Sequence, residues 1–319
     1  MSDQPAATAQ PTSRAVRFEE FGGPERLTLA TAPVPEVGPG QVRVRVTAAG
    51  LNPMDWIMTA DTDTAARFGL GLPCGFGTDY AGLVEAVGDA VSGFAVGDRV
   101  FGGALSRAVA DHVVVDASGT IAGGGDVHRT PDGVDDRTAA TLTIAGCTAA
   151  AALAIVHPGP GDTVLVGGAG GGVGVFVVQL ARLAGARVIG TGSPSSAEAL
   201  RALGAEPVAY GDGLVERVRE LAPDGITAAL DLHGTETALA ARELAVPDAR
   251  ITTIAAQLDG ITPANGAAAE PGAIEDIAAL VASGQLRVPI AAHFPIEQVR
   301  EAVELQAGRH VHGKVVIDL

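Results

Sequence analysis

Thr163-Val-Leu-Val-Gly-Gly-Ala-Gly-Gly-Gly-Val-Gly174 decides how the rest of the chain is read. Thr163–Val166 is a continuous apolar run, as expected of a parallel strand covered on both faces. The glycines after it mark a tight turn, and Val173 to Ala184 then reads as a helix, with Gly185 as its C-cap. Within the turn, Ala169, Gly171 and Gly174 form A-x-G-x-x-G, a variant of the dinucleotide fingerprint. Small residues there permit the turn, let the backbone approach a pyrophosphate, and allow the helix to pack close on the strand. The helix N-terminus offers free N–H groups and a positive dipole end to the phosphates. Without a ligand, the same glycines would serve only helix–sheet packing.

Downstream the strand–helix alternation continues. Arg187–Ile189, Pro207–Tyr210, Ala228–Asp231 and Arg250–Ala255 read as strands. Ser196–Leu203, Leu214–Leu221 and Glu236–Leu244 read as helices between them. That rhythm predicts an α/β domain with a doubly wound parallel sheet over 146–284. Its second strand ends Gly190-Thr-Gly-Ser-Pro-Ser-Ser196, with no acid before Glu198 and no Arg or Lys before Arg201. An NAD binder usually holds the ribose 2′-hydroxyl with an acid at this place. The hydroxyl-rich loop therefore favours NADPH over NADH, although Ser195 and Ser196 are also plausible helix N-caps.

Upstream, residues 14–145 are short and β-like. Val42-Arg-Val-Arg-Val46 alternates as a half-buried strand does, and Gly38-Pro-Gly40 and Gly97-Asp98 mark turns. Met54–Phe68 is expected to hold a short helix, and the glycine-rich stretch Ser118–Gly133 an exposed loop. Ile274–Gly284 and Ile296–Gln306 read as helices and Lys314–Ile317 as a closing strand, so 285–319 is expected to return to the first domain. Residues 1–13 read as a disordered lead without the pattern of a signal peptide.

The bulk properties narrow the class. The 319 residues carry a formal net charge of −16, which argues against nucleic acid and anionic membrane as partners and suits a soluble, cytoplasmic protein. Two cysteines, Cys74 and Cys147, are too few for a disulfide framework or a four-thiolate zinc lobe. No apolar run approaches the ~20 residues of a membrane span.

Several motifs together resemble the zinc-independent quinone oxidoreductases of the medium-chain dehydrogenase/reductase superfamily. They are Ala49-Gly-Leu-Asn-Pro-Met-Asp-Trp56, Gly77-Thr-Asp-Tyr-Ala-Gly-Leu-Val84, Val96-Gly-Asp-Arg-Val-Phe101, the glycine turn itself and Gly313-Lys-Val-Val-Ile317. The resemblance runs from about Arg14 to Leu319. It implies a GroES-like, β-rich catalytic domain, a Rossmann domain, a cleft between them for NADPH and substrate, and a homodimer. Zinc alcohol dehydrogenases of the superfamily carry Cys where Asn52 stands and His-Glu where Thr78-Asp79 stand, so no zinc is expected here. Without a Lewis acid, the easier chemistry is hydride delivery to an electrophile such as a quinone or a conjugated enone. A non-catalytic nucleotide-binding or structural protein is the alternative of another class.

Asn52 is the first candidate for a hydrogen-bond donor near the nicotinamide ribose or the substrate oxygen, and Tyr80 the second. Asp55 completes the candidate catalytic set, although Asp55 and Asp79 are expected to fix loops rather than react. For the cofactor, the resemblance points to Thr148, to Ala169, Gly171, Gly172, Val173 and Gly174 of the turn, and to Ser193 and Ser195. It points also to Tyr210, Ile254, Ala255 and Lys314. Where the family commonly has Ala followed by an aromatic after Thr148, this chain has Ala149–Ala152, which predicts a roomier substrate cleft.

Overall fold

The computed structural model describes residues 11–319. Most of the expected lead lies outside them, but Thr12 and Ser13 do not belong to it. They open the strand Thr12–Phe18, paired with Pro33 and Ala32 of Thr28–Pro33.

The first domain is built around the long strand Gln41–Leu51. The alternation read there is present: Val42, Val44 and Val46 are buried, while Arg43 and Arg45 point away from that core. Asp79–Val87 pairs with it antiparallel, Gly50 opposite Asp79, and Lys314–Asp318 pairs along its other edge, Leu51 opposite Val315. The C-terminal segment thus returns to the first domain. The expected helix over 54–68 is two helices, Pro53–Ala60 and Thr62–Arg67, parted at Asp61, whose carboxylate caps the second by accepting from the Thr64 N–H.

The second domain is a six-stranded parallel sheet in the order Glu206–Ala209, Arg187–Gly192, Thr163–Gly167, Ala228–Asp231, Ile251–Thr253, Thr262–Pro263. Strand order reverses beside Thr163–Gly167, which places a ligand crevice at its carboxyl end. Val164 and Val166 pack with helices Thr143–Val156 and Gly174–Leu183, while Leu165 faces Val218 and Ala241 on the opposite side. Helix Thr143–Val156 starts three residues before the expected domain boundary at Gly146 and carries the core into the first domain, where Ala48, Ala81, Phe101 and Val316 join it. Ala149 and Ala152 lie fully buried in this core. The small residues let the helix approach its neighbours, and Gly146 lies against Ile274 and Ile277. Among the described residues no helix is long and apolar enough to cross a membrane.

Candidate active site

Asn52 ends the strand Gln41–Leu51, and Pro53 starts the next helix at its first position, where the missing N–H is harmless. Three residues into that helix, the Asp55 carboxylate accepts from the Asn52 N–H (2.8 Å) and from the Thr78 hydroxyl (2.7 Å). The Asn52 side-chain amide donates to Asp79 Oδ2 (2.9 Å), and its oxygen accepts from Lys314 Nζ (2.6 Å). Lys314 Nζ lies 3.7 Å from Asp79 Oδ2, whose other oxygen accepts from the Ile144 N–H (3.1 Å). Asn52, Asp55, Thr78, Asp79 and Lys314 are all buried. Four separate pieces of chain thus meet in one polar cluster with each heteroatom partnered.

Burial pushes the Asp55 carboxyl up to about 7 and the Asp79 carboxyl up to about 6, and it lowers the Lys314 ammonium. All three groups resist full ionisation together. Asp79 faces the ammonium directly, whereas Asp55 has only neutral donors at hydrogen-bond distance. The Asp79–Lys314 contact is therefore the ion pair of the cluster, and Asp55 is the carboxyl that burial raises furthest.

Lys314 also ties the cluster to the glycine turn. Its side chain passes Gly172, where an added Cβ would stand 3.2 Å from Lys314 Cδ, and Gly313 N–H donates to the Gly170 carbonyl (2.9 Å). Ala169 takes the first fingerprint position because Gly190 of the adjacent strand makes room for its methyl: a Cβ on Gly190 would come within 2.8 Å of it. At Gly171 the nearest atom to an added Cβ is the Gly168 carbonyl oxygen, 3.3 Å away, so one side of this residue is open. Val173 precedes the helix Gly174–Leu183, and Gly174 packs against the Gly168 and Ala169 backbone.

The other expected cofactor residues lie mostly along the carboxyl edge of the sheet. Ser193 and Ser195 share a hydrogen bond (2.8 Å) after the second strand. Tyr210 is half exposed after the third. Ile254 and Ala255 follow Ile251–Thr253, with the Ile254 N–H bonded to the Asp231 carbonyl. Thr148 donates to the Ile144 carbonyl (2.6 Å) one helical turn earlier and is packed against Gly266. Arg201 opens onto a groove with Arg182 and Arg287, and the Arg217 guanidinium is bonded to the carbonyls of Ala209, Tyr210, Gly211 and Asp212.

Tyr80 requires correction. Successive strand residues face opposite sides, so Tyr80 points away from Asp79, into the core formed by Val42, Val44 and Val100. Its ring is fully buried and its hydroxyl donates to the Asp126 carbonyl (2.7 Å). Tyr80→Phe is expected to cost about 1 kcal/mol of stability and to leave kcat unchanged; thermal melts and steady-state kinetics check this, and a tenfold drop in kcat would return Tyr80 to the site.

One contributor escaped the sequence reading. The buried Asp231 carboxylate accepts from the backbone N–H groups of His233, Gly234, Thr237 and Ala238, and so shapes the segment whose His233 Cβ flanks Gly168. An acid closing the fourth strand ahead of Gly and Thr was its only sign.

Residues 38–125 match the alcohol dehydrogenase GroES-like domain, and residues 172–270 match the zinc-binding dehydrogenase domain. A quinone oxidoreductase of Pseudomonas aeruginosa is 30% identical over 96% of this chain and 99% of its own length. The human quinone oxidoreductase is 38% identical over 58% of this chain, a match that spans 54% of the human protein. The crystal structure of CurK enoyl reductase superposes with a TM-score of 0.84 at 25% identity, covering 96% of this chain and 99% of that one.

Proposed function

Because the chain belongs to the quinone oxidoreductase-like proteins of the medium-chain dehydrogenase/reductase superfamily, we propose that it is an NADPH-dependent, metal-free reductase acting on a quinone or a related conjugated carbonyl. The observation that carries this reading is the junction of Lys314, held by Asn52 and Asp79, with the glycine turn at Gly172. It fixes the Lys314 stem against a cradle that is open at Gly171, where the backbone N–H groups at the start of the helix Gly174–Leu183 suit an anionic dinucleotide. The bound cofactor supplies the hydride; the protein supplies orientation, a dry wall and a fixed field. Reduction of a quinone to its hydroquinone also takes up protons, and the Asp55 carboxyl, raised to about 7 by burial, is the candidate proton source within the cluster.

The cluster does not fit a catalytic zinc. At Asn52 and Thr78 stand an amide and a hydroxyl, each engaged within the cluster, and the Asp79 carboxylate already faces the Lys314 ammonium. Zinc asks for thiolate, imidazole or free carboxylate. The acid-free loop around Ser193 supports NADPH over NADH. The family resemblance also carries, as parts of the same reading, a homodimer and a cytoplasmic location.

Likeness to an enoyl reductase favours a second reading, reduction of an activated carbon–carbon double bond. NADPH oxidation with 9,10-phenanthrenequinone, a simple enone and a simple aldehyde separates the two. Quinone turnover is expected to exceed enone turnover, with none for the aldehyde; faster enone turnover selects the second reading. Tight NADPH binding without oxidation by any of them would make the protein a non-catalytic nucleotide binder. Fluorescence titration is expected to show tighter binding of NADPH than of NADH, and the reverse order overturns the cofactor assignment.

A further inference from the structure

The loop expected to lie exposed between Ser118 and Gly133 carries Asp126-Val-His128 inward instead. His128 Nδ1 lies 2.8 Å from Glu275 Oε1, on the first turn of helix Ala273–Ala282 in the second domain. Its Nε2 lies 3.4 Å from Asp126 Oδ2 in the first domain. Glu275 is hydrogen-bonded at Nδ1, while the buried Nε2 makes no hydrogen bond and has the Asp126 carboxylate at ion-pair distance; with a carboxylate facing each nitrogen, the ring is best satisfied with a proton on both. We propose that His128, as an imidazolium, is a positioning residue that clasps the two domains together through Asp126 and Glu275, and that the clasp retards release of the nicotinamide cofactor until the ring loses its proton. This rests on the reading that the cleft takes such a cofactor.

Both ends of the clasp are anchored in ordered elements, one in each domain. Asp126 accepts from the Gly103 N–H through its carboxylate and from the Tyr80 hydroxyl through its carbonyl, which fixes it to the strands Asp79–Val87 and Arg99–Gly103. The His128 ring leans on the buried Phe101 ring, with centroids 5.4 Å apart. On the other side, the helix bearing Glu275 packs Ile274 and Ile277 onto Gly146 of helix Thr143–Val156. That helix carries Thr148, and its Ile144 N–H binds Asp79. The His128–Glu275 contact therefore bears on the helix packed directly against the one that carries Thr148, a candidate cofactor residue.

The charges around the ring set the sign of the effect. Asp126 and Glu275 face it. The Cys147 thiol on the third neighbouring element stays neutral, pushed up to about 12 by burial and by Asp126, Asp79 and Glu275. Arg129 turns outward to the Gly93 carbonyl and Asp98. Burial works against charge on His128, but the neighbouring carboxylates of Asp126 and Glu275 outweigh it and hold the imidazole above its usual value of 6.5. A group raised in this way stabilises the clasped state at low pH, and the contribution is lost as pH rises through the raised value.

The test uses the whole chain and the variants Glu275→Gln and His128→Gln. In the ligand-free protein, NMR titration of the His128 ring is expected to give a value above 6.5 that falls in Glu275→Gln. By stopped-flow fluorescence, NADPH release from the wild type is expected to quicken about threefold between about pH 6 and about pH 9. Both variants should release it at the faster rate throughout. An ordinary titration unmoved by Glu275→Gln overturns the proposal, as does equal release by wild type and variants near pH 6. Should neither NADPH nor NADH bind, the functional reading falls and the retarded release with it, while the ring titration still decides whether the clasp itself exists.

Discussion

Lys314→Met is expected to destabilise the folded protein by about 3–5 kcal/mol, because it leaves a buried carboxylate without its cation. Methionine keeps the apolar stem that lies against Gly172 and removes the ammonium that serves Asn52 and Asp79. The loss should depend on pH. Asp55 and Asp79 already have raised values, about 7 and about 6. A carboxyl raised on folding favours the folded state when protonated, and that contribution disappears as pH climbs through the raised value. Without Lys314 both groups rise further, so the variant can neutralise its cluster in mild acid and cannot do so in mild alkali. Urea denaturation at about pH 5 and about pH 8 should show the larger loss at the higher pH. Equal losses at the two pH values would mean that Lys314 acts by packing alone.

Gly171→Val should weaken NADPH binding roughly a hundredfold, or about 2.7 kcal/mol, with the fold intact. The single close neighbour of a Cβ at Gly171 is the Gly168 carbonyl oxygen, at the 3.3 Å that a small shift relieves. The remaining space is where a pyrophosphate would approach the backbone. Gly174→Val provides the contrast, since its Cβ meets the Gly168 and Ala169 backbone and the turn itself must give way. Fluorescence titration paired with thermal melts separates the two: Gly171→Val should move affinity and hold Tm, and Gly174→Val should lower both. An unchanged Kd in Gly171→Val would place the phosphates elsewhere.

The parts of the fold that could be read from the sequence are those whose signals are local. Thr163–Gly167 and the helix after it announce themselves through a continuous apolar run and a glycine turn, and Val42–Val46 through its alternation. Asn52, Asp55, Asp79 and Lys314 could each be named as candidates. Their union could not, because Lys314 comes 262 residues after Asn52 and only the return of the C-terminal strand brings them together. Tyr80 was misjudged because its hydroxyl partner is a main-chain carbonyl at Asp126, and a carbonyl leaves no mark in residue identity. The same loop looked exposed because glycine-rich composition describes flexibility, not where Asp126 and His128 point.

Lys314–Asp318 lies beside Gln41–Leu51 in the finished sheet, while the whole second domain is encoded between them. On the ribosome the two halves therefore mature in different order from their sequence. The second domain, being one unbroken stretch, can collapse as soon as it emerges. The first must wait with Ala48–Leu51 unpaired on one edge until Lys314–Asp318 arrives, since His112–Asp116 covers only Gln41–Arg45 there, and an unpaired edge is an invitation to aggregation. The residue that completes the polar cluster is thus also on the strand that ends this vulnerable interval.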